Sequence, residues 1–100
     1  MSQSNDLKDI STAALILIDL QVDFCEGGAY PVPGGDEIVE PFNEYMELFS
    51  GLGRPTFSVK DYHPRRTTHF KEFGGELPAH CVKGTPGSEL HPKLRFLDGA

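Results

Sequence analysis

The residues best suited to chemistry in this sequence gather at the ends of two apolar runs. Asp61 and His63 form an Asp-x-His pair, and His69 and His80 follow within 20 residues. Side chains two positions apart on an extended segment point the same way. Imidazoles with a carboxylate make a ligand set suited to zinc, iron or manganese. A lone histidine is ordinarily a solvated or hydrogen-bonded residue, so the argument for a metal rests on their concentration. Asp19 closes the other apolar run, where a carboxylate can serve as a general base beside a thiol or metal, or as a helix cap or salt-bridge partner. His91 lies farther along, without a partner at short spacing, and reads as solvated.

The thiols are less promising. Cys81 directly follows His80, and neighbours on an extended chain face opposite ways, so Cys81 reads as a packed, inert thiol. Cys25 has no basic neighbour in sequence to lower its pKa. These residues alone leave a metal-assisted hydrolase and a non-catalytic metal-binding module both open, with no nucleophile identified.

Several elements must position these groups. Residues 13–18, Ala-Ala-Leu-Ile-Leu-Ile, are continuously apolar, as in an inner strand of a parallel sheet, with a short buried helix as the competing reading. A Gly/Pro-dense loop follows over 26–35. Asp36 then reads as the N-cap of a helix of about 16 residues. Its stripe is Ile38, Phe42, Tyr45, Phe49 and Leu52, widened by Val39 and Met46. Pro41 is tolerable in the first turn, and Gly51 and Gly53 close the helix. Residues 55–60 read as a second strand. Strand, helix and strand make a β-α-β crossover, so the strands are expected to be parallel and the fold class is α/β. Ligands in such sheets collect beyond the carboxyl ends of the strands, where Asp19 and Asp61 lie. One helix covers only one face of the sheet, leaving the other bare. Residues 61–100 hold no long periodic segment, and a loop of that length is ordinarily functional.

Composition narrows the classes. One hundred residues, a net charge of −6, 38% apolar content and two cysteines describe a soluble, mildly acidic chain of one domain at most. No run approaches the ~18–20 apolar residues of a membrane span, so no membrane association is expected. The basic residues form no stripe, so no nucleic-acid partner is expected. A cytoplasmic location with reduced thiols is the default. Residues 1–12 read as a disordered leader.

Three ordered segments, ALILIDLQVDFCEGGAYPVPGGDEIV, VKDYHPRRTTHF and LPAHCVKGTPGSELHP, together resemble the nicotinamidase/pyrazinamidase branch of the isochorismatase-like cysteine hydrolases. The resemblance implies a three-layer α/β/α fold with a parallel sheet, of which residues 13–100 are the N-terminal part of a single domain. It implies hydrolysis of the small molecule nicotinamide, with pyrazinamide as an alternative substrate, to the acid and ammonia, within NAD salvage. Position by position, Asp19 matches the catalytic aspartate and Phe24 the aromatic that packs on the pyridine ring. Asp61, His63 and His80 match the ligands of a divalent metal, zinc above all, with iron or manganese as alternatives. His69 matches a further histidine that joins this site in the pyrazinamidase type. Leu77 stands in the ring pocket where the family has an aromatic, most often Trp, which thins one wall, and Tyr62 replaces a common Trp or Phe. The family's catalytic lysine and nucleophilic cysteine are expected beyond this chain, and neither Lys83 nor Cys81 is to be taken for them. Another isochorismatase-like hydrolase would generally lack the Asp-x-His and later His ligands.

Overall fold

A computed structural model describes residues 10–96 of the chain. Strand β1 runs Leu15–Ile18 and strand β2 Thr56–Val59. They pair in parallel, Leu15 opposite Thr56 and Ile18 opposite Val59. The ladder continues at each end, from Leu15 N–H to Pro55 C=O at 3.0 Å and from Asp19 N–H to Val59 C=O at 2.9 Å. Between them a short 3₁₀ turn, Gly35–Ile38, leads into helix α1, Val39–Gly51. The crossover expected from the hydrophobic pattern is therefore present.

Two details of the helix differ from the expectation. Asp36 does not cap α1. It lies in the 3₁₀ turn, and its Oδ1 accepts the Glu26 N–H at 2.8 Å, closing the Gly/Pro loop onto itself. The buried stripe runs Val39, Phe42, Asn43, Met46 and Phe49, while Ile38 and Leu52 are exposed. Both exposed residues flank the helix, and within α1 the stripe is buried from its first residue, Val39, to Phe49.

Leu17 and Leu20 meet Val39, Phe42, Met46, Cys25 and Leu94 in the core, with Leu15 and Leu90 against its edge. Alternate residues of both strands point the other way, and Ile16, Ile18, Phe57 and Val59 are exposed on the face opposite α1. At 25 cal/mol per Å² of apolar surface, such a face is a standing cost unless another layer covers it.

Past β2, the irregular chain is held by isolated bridges outside the two-stranded sheet. His63 pairs with Val82, Phe70 with Leu77, and Gln21 with Leu90. Short 3₁₀ turns at Lys71–Phe73 and Pro86–Ser88 are the helical segments among the described residues here. The expected disordered leader falls mostly on positions 1–9, outside the described residues. Ile10, however, is buried and accepts the Ala13 N–H in a turn.

Candidate metal centre

The two strands deliver Asp19 and Asp61 to the same carboxyl edge. Asp19 leaves β1 with φ +57°, a left-handed conformation costing about 1–3 kcal/mol in a non-glycine residue. Its C=O accepts the Gln21 N–H at 3.0 Å, so the chain turns sharply away from the sheet.

His63 and His80 are 17 positions apart, yet their segments run side by side. His63 N–H donates to Cys81 C=O at 2.9 Å, and Lys83 N–H donates to His63 C=O at 2.8 Å. The His63 Nε2 consequently lies 3.0 Å from the Asp61 carboxylate, and the His80 Nε2 3.3 Å from Asp61 Oδ2. One donor atom from each of Asp61, His63 and His80 fits within a mutual 4.8 Å. Two ligand atoms bound at about 2.0–2.1 Å to a tetrahedral ion sit about 3.3 Å apart, so the two separations from Asp61 are short enough for ligands of one ion.

The donor chemistry supports the same reading. His80 Nδ1 lies 2.7 Å from Pro78 C=O, and a carbonyl can only accept, so Nδ1 carries the proton. The His80 Nε2 then faces a carboxylate oxygen of Asp61. Two acceptors in contact repel unless a proton or a metal cation lies between them. A histidine whose far nitrogen donates to a carbonyl is also the usual arrangement of a metal ligand. The residues fit a divalent ion.

Aromatic rings surround the cluster. Phe70 is buried beneath it, its ring 5.3 Å from His63 and 5.6 Å from His80. Phe24 lies 5.6 Å from the His80 ring and Tyr30 4.9 Å from it. His69 is exposed, its ring 5.8 Å from that of His63, and it contributes no atom to the three-residue cluster. Leu77 is half-buried and ties the intervening loop through its backbone, donating to His69 C=O at 3.1 Å and accepting from Lys71 N–H at 2.8 Å.

The thiols are quenched. Burial pushes the Cys81 thiol up to about 12, with the carboxylates of Asp61, Asp23 and Asp19 adding to the effect and Lys60 opposing it. Burial, and then Asp36, also raise Cys25. Cys25, Asp36 and His91 form a second cluster of possible ligands. His91 is thus not the solvated residue expected, because its ring lies 3.4 Å from Asp36 with its side chain largely buried. Here the tautomer is opposite to that of His80. Lys93 N–H donates to His91 Nδ1 at 3.1 Å, so Nε2 holds the proton and donates it to Asp36. That cluster is a hydrogen-bonded staple between the Gly/Pro loop and the segment around His91.

Three further residues hold the site and were not singled out from the sequence. Gln21 is 0% exposed and bonds the backbone of Asp61. Asp23 accepts Cys81 N–H at 2.7 Å and Ala29 N–H at 3.1 Å, fixing the turn beside His80. Phe70 is the third. Their signal in the sequence was proximity to Asp19 and His69 alone, since their partners lie far along the chain.

The Isochorismatase domain model matches residues 13–100. The nicotinamidase/pyrazinamidase of Mycobacterium tuberculosis is 37% identical over 84 residues, covering 81% of this chain and 45% of that protein. The crystal structure of the pyrazinamidase of Pyrococcus horikoshii in complex with zinc superposes with a TM-score of 0.80 at 42% identity, covering 87% of this chain and 48% of that one. PnC1 of L. infantum in complex with nicotinate gives 0.75 at 35% identity, covering 85% and 43%. The chain thus spans about half the length of the relatives it matches. The uncovered strand face and the ordered carboxyl edge are what part of a larger layered α/β fold presents, and the chain belongs to the isochorismatase domain family, with nicotinamidases and pyrazinamidases among its homologues.

Proposed function

We propose that this chain carries the metal and carboxylate part of an amidase site that hydrolyses nicotinamide, with water, to nicotinate and ammonia. The observation that carries this reading is the convergence of Asp61, His63 and His80, one possible ligand atom from each within a mutual 4.8 Å, with Phe24 and Tyr30 alongside. A zinc complex and a nicotinate complex among the structural relatives support it.

Asp61, His63 and His80 would hold a divalent ion, with His69 beside them as an additional donor. Such an ion supplies a Lewis acid and a template for the ring nitrogen of the substrate. Phe24 offers an apolar face for the heteroaromatic ring, and Leu77 is assigned to the same pocket. Asp19 accepts the proton of the attacking thiol, which the resemblance places outside these 100 residues together with its lysine. The thiolate forms a thioester, ammonia leaves with that proton, and water then releases the acid.

Two measurements test the proposal. The zinc-loaded chain is expected to bind nicotinate and the metal-free chain is not. A protein that also carries the lysine and cysteine is expected to release ammonia from nicotinamide, and metal uptake without release would refute the assignment.

A further inference from the structure

Resting on that reading, we propose that Gln21 is a positioning residue that sets the metal affinity of the site by clamping the backbone of Asp61. The β1–β2 ladder ends at the bond from Asp19 N–H to Val59 C=O. From there the Gln21 amide takes over. Its Oε1 accepts the Asp61 N–H at 2.8 Å, and its Nε2 donates to Asp61 C=O at 2.8 Å and to Ser88 C=O at 2.7 Å. Both amide protons and one lone pair are therefore used, in a side chain closed off from solvent.

Bonds to the N–H and the C=O of one residue restrain both of its backbone torsions. Asp61 is the residue whose carboxylate meets both His63 and His80, so a small rotation there opens both ligand separations together. Gln21 also follows Asp19 by two positions, and its N–H bonds Asp19 C=O. One residue therefore links the general base, through its backbone N–H, to the bridging ligand, through its side chain, while Ser88 ties that frame to the segment leading to His91.

Asn43 provides the control. It is an equally buried amide that bridges backbone groups, donating to Lys93 C=O at 3.0 Å and accepting from Arg95 N–H at 2.8 Å, but on the helix and without contact to the ligands. The experiment titrates the full chain with cobalt(II), following its d–d absorption, and measures thermal stability in parallel. Gln21→Met and Asn43→Leu are both expected to lower the melting temperature. Only Gln21→Met is expected to weaken cobalt binding, by about 10–100-fold, with an altered absorption band. Gln21→Glu, which keeps the acceptor for Asp61 N–H and loses the donors, serves should the methionine variant not fold, and is expected to weaken binding as well. Cobalt affinity within about twofold of wild type in the Gln21 variants overturns the proposal, as does an equal loss in Asn43→Leu. Wild-type chain that takes up no cobalt overturns the metal reading itself, a distinct result.

Discussion

Gly87→Ala is expected to damage the protein through a single carboxylate. A methyl group at Gly87 would lie 2.2 and 2.3 Å from the two Asp23 carboxylate oxygens and 2.4 Å from its Cγ. Ordinary carbon–oxygen contact begins near about 3.3 Å, so Asp23 must retreat by about 1 Å. It is held by Cys81 N–H at 2.7 Å and Ala29 N–H at 3.1 Å. Hydrogen bonds to a charged acceptor contribute about 1.5–3 kcal/mol each, and the alanine recovers about 0.4–1 kcal/mol by restricting the unfolded chain. The expected net loss is about 2–5.6 kcal/mol. Asp23→Ala removes the same bonds together with the clash, so adding Gly87→Ala to it is expected to cost nothing more. Urea denaturation of the four proteins gives the coupling energy directly. A single Gly87→Ala variant within about 0.5 kcal/mol of wild type, or costs that simply add, would refute the reasoning.

Other outcomes follow from the same geometry. His80→Ala is expected to strip the ion, because the remaining pair offers too few donors for tight binding, and unchanged metal content by elemental analysis would contradict it. Native chain is expected to resist a thiol reagent at pH 8, whereas chain unfolded in guanidinium exposes both cysteines. A Cys81 thiol held near 12 against an unfolded value of 9.0 leaves stability intact below about pH 9 and lost as pH rises toward 12, which a melting series with Cys81→Ser as control would show. The Glu26 N–H, foremost, holds the Asp36 carboxyl below its ordinary range, with His91 and Cys25 assisting and its own desolvation opposing. The stability it contributes is present above the unfolded value of 3.8 and declines as pH falls through the lowered folded value, so Asp36→Asn is expected to flatten the acid arm of the curve.

The sequence made the parallel β-α-β crossover legible, because each step was local. A continuous apolar run, a stripe at helical spacing and a second short run specify burial without any knowledge of partners. It misplaced Asp36, since a carboxylate before a helix can bond either the helix N–H groups or a returning loop, and only tertiary contact chooses. The stripe was drawn one residue too long at each end, because hydrophobic spacing does not show where the helix begins and stops.

The candidate donors Asp61, His63 and His80 could be named from residue type, and Asp19 from its place at a strand end. Which of them meet was decided by bonds between segments remote in sequence, such as His63 to Cys81 and Gln21 to Asp61 and Ser88. The two histidine clusters show the limit most plainly. His80 and His91 look alike in sequence, but Pro78 C=O puts the proton on Nδ1 of one and Lys93 N–H puts it on Nε2 of the other. Residue type and spacing determined that this chain could hold a cation. The backbone group facing each imidazole, set only when the chain folds, decided which ring nitrogen faces the neighbouring carboxylate.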